Sequence, residues 1–509
     1  MARGQRIFTL SYHTPSLEPG NTPYVRNQRD LANFLDALSG YLSFFRDTLG
    51  GSFATIGELH ASLLAGQEPP PPLPPRELPR LAPGTRCLVV ANTFPPVHGG
   101  SAVVYDSLAR FGRGRVAVLA PEIDYRNDMF LRGWRECDRA APFPVYRIAR
   151  LRTSLGAGAP GIWPRLVTAL QELHLRIAQL LALRRVVRRD GIGVICIGEL
   201  IGSGWLTFWC RPFLRCASIV YVHGEEISTR TQYDRDGRRR GRWLGRADAI
   251  VAVSRFTRDH LVMAMHADPA RIHLISNGVD LRRFTPRPRR AELIARYGLA
   301  GRRVLLTVGR LYQRKGMDKV IEALPEVLAR LPDLTYLLVG EGALRPTLEA
   351  SVRRLGLGDR VVFAGAVADD ELVDHYALGD VFIMANREMP DGDNEGFGLV
   401  FLEANACGVP VIAGRAGGSV DAVQDGVNGL VVDGNDVAMI SAAILRLFED
   451  EALRLRLAAQ GLAIASAAGW DRRVDEFLAL CEAISPPRPS GQAAAAPPVP
   501  QPGGHSPPR

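Results

Sequence analysis

The chain has 509 residues, more than one ordinary domain holds. At 47% hydrophobic and 23% charged it has the composition of a globular enzyme and not of a disordered or fibrous chain. The formal charge of +9 suits an anionic partner such as nucleotide phosphate, a membrane surface or nucleic acid, without choosing among them.

Seven cysteines, an odd number with no Cys-x-x-Cys pair, suggest neither a disulfide framework nor a zinc ribbon. Buried thiols in a reducing compartment are expected. The first residues, "MARGQRIFTLSYH", lack a long apolar core, and no uncharged apolar run of about 18 residues could span a membrane. A cytoplasmic protein is expected.

In chain order, residues 1–66 combine a loop, "HTPSLEPGNTPY", with an apolar pattern at helix spacing, "LANFLDALSGYLSFF". Residues 67–84 are a proline-rich linker, and residues 485–509 a low-complexity tail expected to be disordered. Between them, short apolar runs alternate with helical stretches, the signature of parallel α/β layers. "RCLVVAN", "RVAVLAP", "IGVICIG", "SIVYVHG" and "AIVAVS" predict the strands of one sheet. "RRVLLTVGR", "LTYLLVG", "RVVFAG", "DVFIMAN" and "GVPVIAG" predict a second. The expected domains are 85–300 and 301–469, both Rossmann-like, with helix 470–484 returning to the first. Ligands of such sheets bind beyond the carboxyl ends of the strands.

Several strand ends carry residues suited to chemistry. Gly99 and Gly100 precede a helix, where backbone N–H groups can face an anion. His223 ends an apolar strand in "YVHGEE". Arg310 and Lys315 follow another strand and could aim two cations at a diphosphate, although Arg314 cannot be told apart from them by residue type. In "NEGFGLVFLEANACGVPVI", Glu395 sits ahead of a predicted helix and Glu403 lies inside it, among apolar residues. A buried glutamate needs a partner, which a ribose diol or a structural arginine could supply. The Asp391–Asp393 run "DGD" imitates a metal-binding pattern, but a solvated loop is the better reading.

These residues resemble a known family. Glu395 and Glu403 match the Glu-x7-Glu motif of retaining glycosyltransferase family 4. "FPPVHGG", "YVHGEE", "VSRFTRDHL", "SNGVD", "VGRLYQRKG", "VGEGALRPTLE", "FAGAV", "EGFGLVFLEANACGVPVIAGRAGG" and "DGVNGLVV" follow in the family's order across residues 85–484. The resemblance implies the GT-B fold, with acceptor bound by the first domain and nucleotide-sugar by the second. It implies that Arg310 and Lys315 hold the diphosphate and that Glu403 binds the ribose. It assigns Glu395 to the donor hexose, with backbone N–H groups of Phe397, Gly398 and Leu399. Gly99 and Gly100 would approach the phosphates, and His223 the donor sugar near the reacting centre. Transfer with retention, no metal and no cofactor is implied.

Residues 1–66 resemble instead the C-terminal end of a polysaccharide deacetylase, with His13 in place of a late active-site histidine. The paired aspartates and a His-x-x-x-His pair are missing, so no deacetylase activity is expected. The leading expectation is a hexosyltransferase of cell-surface or exopolysaccharide synthesis, using GDP-mannose or a UDP-sugar and a glycan or lipid-linked acceptor. Peripheral contact with the inner face of the plasma membrane is expected through "LHLRIAQLLALRRVVRRD" or "DRDGRRRGRWLGR", each of which a solvated face would equally explain. The alternatives are an inactive nucleotide-sugar-binding module or another GT-B enzyme. Nucleic-acid binding finds no aromatic-basic motif.

Overall fold

The computed structural model describes residues 78–486, apart from 98, 127–128, 153–161, 229–233 and 235–236. All of these belong to the second of the chain's two compact units, Leu78–Arg509. Residues 1–66 with His13, on which the expected deacetylase resemblance falls, residues 67–77 of the linker and the tail from residue 487 lie outside the described residues.

The first sheet has seven parallel strands: β1 Cys87–Val90, β2 Val116–Pro121, β3 Val145–Ile148, β4 Val194–Ile197, β5 Ala217–Val222, β6 Ala249–Ala252 and β7 Ile272–Leu274. Their order is β3-β2-β1-β4-β5-β6-β7. The second has six: β8 Arg303–Val308, β9 Leu334–Val339, β10 Val361–Gly365, β11 Val381–Met384, β12 Val411–Gly414 and β13 Gly429–Val432. Their order is β10-β9-β8-β11-β12-β13, again parallel. Central strands such as β1 (CLVV) and β4 (VICI) are buried at every position because helices cover both faces, so they read as unbroken apolar runs. The ten predicted strands are all present. The three strands not predicted, β3, β7 and β13, all lie at sheet edges, where no unbroken apolar run is needed. Arg147 interrupts β3 and pairs with Asp138 at 2.8 Å, with both side chains buried. β7 is only three residues long and largely exposed.

Each sheet reverses its order beside its first strand, between β1 and β4 and between β8 and β11. Strand ends diverge at such points and leave a crevice. The helices that bear on the site are α1 Gly100–Arg110, α2 Ile162–Asp190, α3 Met317–Arg330, α4 Leu399–Ala406 and α5 Trp470–Ile484.

The stretch of residues 287–296 leads from the first layer to the second. Arg287 and Arg290 both pair with Asp374, and Arg296 pairs with Glu371, so this stretch packs on the second layer. α5 returns to the first layer. Phe477 lies 6.3 Å from the Tyr221 ring, and Asp475 pairs with Arg113 at 2.6 Å. One buried cluster runs from Val89 and Tyr221 through Phe477 and Trp470 to Phe401 and Val411, joining the layers. Truncating Phe477 to alanine leaves a cavity in that cluster. A loss of about 3–5 kcal/mol is expected in urea unfolding, and a loss below about 1 kcal/mol would show that α5 does not clamp the layers.

Candidate active site

A cleft of about 660 Å³ lies between the carboxyl ends of the two sheets, within the size range of small-molecule sites. Asn92 and Thr93 after β1, Glu199 after β4, His223 after β5 and Arg310 after β8 all line it. So do Asn394–Val400, which lead into α4.

Two helices begin at this cleft. α1 starts after Gly99, and α4 starts after Gly398, whose φ of 87° is the left-handed conformation that favours glycine. A Cβ on Gly100 would come within 4.0 Å of the Leu399 side chain, so the two helix starts face each other. Neither start has a side-chain cap or an acidic residue in its first turn. Both therefore present backbone N–H groups and a positive dipole end, a setting for an anion.

The basic loop after β8 resolves the three cations that sequence alone left equivalent. Arg314 pairs with Asp393 at 2.8 Å. Lys315 Nζ lies 2.5 Å from Glu395 Oε2, with both side chains largely buried. The Arg310 guanidinium sits over the Tyr312 ring at 4.9 Å, and no carboxylate pairs with it among the described residues. The Asp391–Asp393 run is a turn, in which Asp391 accepts the Asp393 N–H and Asp393 is taken by Arg314.

The two glutamates titrate in opposite directions. Burial pushes Glu395 up, but Lys315, Arg314 and Arg310 outweigh it and hold the carboxyl below its ordinary value. Burial pushes Glu403 up, and no comparable cation offsets it, so it stays above its ordinary value. Tyr376 donates to Glu403 Oε2 at 2.6 Å. Gly99, Gly100, His223, Arg310, Lys315, Glu395, Phe397, Gly398 and Leu399 share the cleft lining, whereas Glu403 does not line it and faces Tyr376 deeper in the second layer.

The layers touch at the floor of the cleft. A Cβ on Gly396 would fall 1.8 Å from the His223 carbonyl oxygen, so only glycine admits the loop after β5. His223 is further fixed by Glu226, whose carboxylate accepts its backbone N–H at 2.8 Å, and by Tyr105, whose hydroxyl lies 2.7 Å from Nε2. The Gly198 carbonyl can only accept, so the Tyr105 hydroxyl donates to it. Nε2 of His223 must then donate to the tyrosine oxygen, which leaves Nδ1 without a proton on the neutral ring. Burial lowers the His223 pKa to about 4, so the ring is neutral near pH 7. Sequence reasoning missed Tyr105, because a tyrosine among apolar helix positions looks like core, and it is core except for its hydroxyl.

Two Rossmann-like layers facing across a cleft, with cations and two uncapped helix starts converging there, define a GT-B glycosyltransferase. Residues 290–463 match the family model for Glycosyl transferases group 1, and residues 99–283 match the model for Glycosyltransferase Family 4. A GDP-mannose-dependent alpha-(1-6)-phosphatidylinositol monomannoside mannosyltransferase of Mycolicibacterium smegmatis is 34% identical over 386 residues, covering 74% of this chain and 92% of the relative. A D-inositol 3-phosphate glycosyltransferase of Acidothermus cellulolyticus is 37% identical over 255 residues, covering 47% of this chain and 55% of that one. The fold is similar to that of HepE from Anabaena, solved in complex with UDP and glucose, with a TM-score of 0.62 and 22% identity over 78% of this chain and 99% of HepE. The chain belongs to the family 4-like glycosyltransferases of the GT-B fold. It is a glycosyltransferase.

Two outcomes test the histidine geometry. The unfolded imidazole takes a proton near pH 6.5 and the folded one only near 4. Between those values the unfolded state binds more protons, so stability falls as acid is added across this window. Urea midpoints of the wild type should drop more steeply there than those of His223→Gln, and parallel curves would refute the buried neutral ring. Tyr105→Phe leaves the Gly198 carbonyl and Nε2 without their shared partner, with an expected loss of about 1–3 kcal/mol in the same measurement.

Proposed function

We propose that the enzyme transfers mannose from GDP-mannose, with retention of configuration, to an inositol-bearing lipid-linked acceptor at the inner face of the membrane. The donor and acceptor assignments are supported by the similarity, over 74% of this chain and 92% of the relative, to the Mycolicibacterium smegmatis mannosyltransferase named for them. The observation that carries a nucleoside diphosphate donor is the Lys315–Glu395 pair beneath two facing helix starts.

In this reading Lys315 and Arg310 bind the diphosphate, aided by the N–H groups at the starts of α1 and α4, including those of Gly100, Phe397, Gly398 and Leu399. Charge grows on the diphosphate as the glycosidic bond breaks, and fixed donors aimed there stabilise it without a metal. Lys315 already faces an anion, so the arriving phosphate competes with Glu395 for it. The released Glu395 carboxylate, held ionised by its cationic surroundings, then accepts hydrogen bonds from hexose hydroxyls. His223 presents a proton-free Nδ1 near the reacting centre. Glu403 takes the ribose hydroxyls when Tyr376 yields one of its oxygens. No cofactor enters this scheme. The deacetylase-like first 66 residues associate the chain with cell-envelope glycan assembly and bring no deacetylase chemistry of their own.

Thermal-shift and donor-hydrolysis panels with GDP-mannose, UDP-glucose, UDP-galactose and UDP-N-acetylglucosamine test the donor. GDP-mannose should raise the melting temperature and turn over fastest. Equal or greater effects of a UDP-sugar would overturn the donor assignment. Lys315→Ala should lower kcat/KM by about 100-fold or more through lost diphosphate stabilisation, and unchanged turnover would remove that role.

A further inference from the structure

α2 has two apolar faces. Gln179, Leu183, Val186 and Val187 are buried against the first layer. On the opposite side Leu170, Leu173, Ile177 and Leu181 are exposed by 66%, 54%, 49% and 45%. At 3.6 residues per turn these four fall within an arc of about 80°, a continuous stripe along the helix. The same side continues into Arg185 and Arg188, which are exposed and have no ion pair among the described residues. The whole helix carries six arginines against Glu172 and Asp190. Beside it lies Trp209, 44% exposed and packed edge-on to Phe213, over which the Arg184 guanidinium sits at 4.5 Å. Arg246 likewise covers the half-exposed Phe208 at 5.0 Å.

An apolar stripe bordered by arginines and by aromatic rings with guanidinium groups over them matches the chemistry of a bilayer interface. We propose that the α2 stripe, together with Trp209 and Phe208, is the surface by which the protein docks on an anionic lipid bilayer. It rests on the proposed function only in naming the side from which a lipid-linked acceptor arrives. Charge complementarity selects the occupant: an anionic bilayer neutralises the arginines, whereas a second copy would set the same cations against each other. Of the two basic stretches in the sequence, residues 234–246 turn partly inward, with Arg240 and Trp243 buried, and the α2 stretch stays outward.

The inner face of α2 adjoins the cleft wall. Gln179 donates to the Leu151 carbonyl at 2.8 Å, and the next residue, Arg152, lines the cleft in an ion pair with Glu199. Docking through α2 would therefore bring the first-layer wall of the cleft to the lipid surface. Among the described residues no helix is long and apolar enough to cross the membrane, so docking of this kind is how these residues would reach a lipid.

The test is co-sedimentation of the full chain with vesicles of phosphatidylcholine alone or with about one-third phosphatidylglycerol. Binding to the anionic vesicles should exceed that to neutral ones by at least tenfold and weaken as salt is raised. Arg185→Gln with Arg188→Gln should weaken it by about thirtyfold, and Ile177→Ser with Leu181→Ser by about tenfold. These side chains are exposed and do not line the cleft, so melting temperature and donor hydrolysis should stay at wild-type values. Equal binding to both vesicle types, or wild-type binding by both double variants, would overturn the proposal. So would self-association in light scattering that the Ile177→Ser and Leu181→Ser variant abolishes. Vesicle binding does not require the donor to be GDP-mannose, so failure of the donor panel and failure of this surface are separate results.

Discussion

The site depends on a backbone contact between two loops that belong to different sheets. The His223 carbonyl presses against Gly396 so closely that no side chain fits between them. That contact sets His223, from the first layer, beside Glu395, from the second. It also fixes how near the start of α1 stands to the start of α4. A larger residue at 396 would separate the groups that make the cleft an anion site. α5 reinforces the arrangement from behind, since Phe477 and Trp470 belong to the buried cluster that joins the layers.

Within that frame, charge is distributed by environment and not by residue type. Glu395 and Glu403 lie on one short segment and are both partly buried, yet they are held on opposite sides of the ordinary carboxylate value. The difference lies in their neighbours. Glu395 has Lys315, Arg314 and Arg310 around it, whereas Glu403 has mainly a tyrosine hydroxyl and a weaker arginine influence. The same holds for the basic loop, whose three cations all line the cleft but meet different partners: Arg314 pairs with Asp393 and Lys315 with Glu395. His223 follows a third route, kept neutral by burial and oriented by Tyr105. These groups form a polar site held in place by its own hydrogen bonds and ion pairs.

α2 shows the opposite use of apolar residues. Its inner face is buried like any amphipathic helix, but its outer face is neither polar nor covered by another described element. An exposed apolar stripe of this length is uncommon on a soluble surface unless something binds there. Its arginines and neighbouring aromatic rings narrow what that something is.

The sequence by itself determined the two parallel layers, because strands buried on both faces must read as apolar runs and connecting helices as periodic ones. It also supplied the family through the order of its motifs, and the segment holding the paired glutamates. It missed the edge strands β3, β7 and β13, of which β3 and β7 are partly exposed and β13 is only four residues long, and it carried no sign of the layer on which residues 287–297 pack, because that is fixed by pairs with Glu371, Asp374, His375 and Asp380. Which partner each cation meets, which glutamate lines the cleft, and that Tyr105 orients His223 were decided by the tertiary structure alone. Each of those depends on which charges and hydroxyls come within hydrogen-bond reach across tens to hundreds of residues, and spacing along the chain carries no record of that.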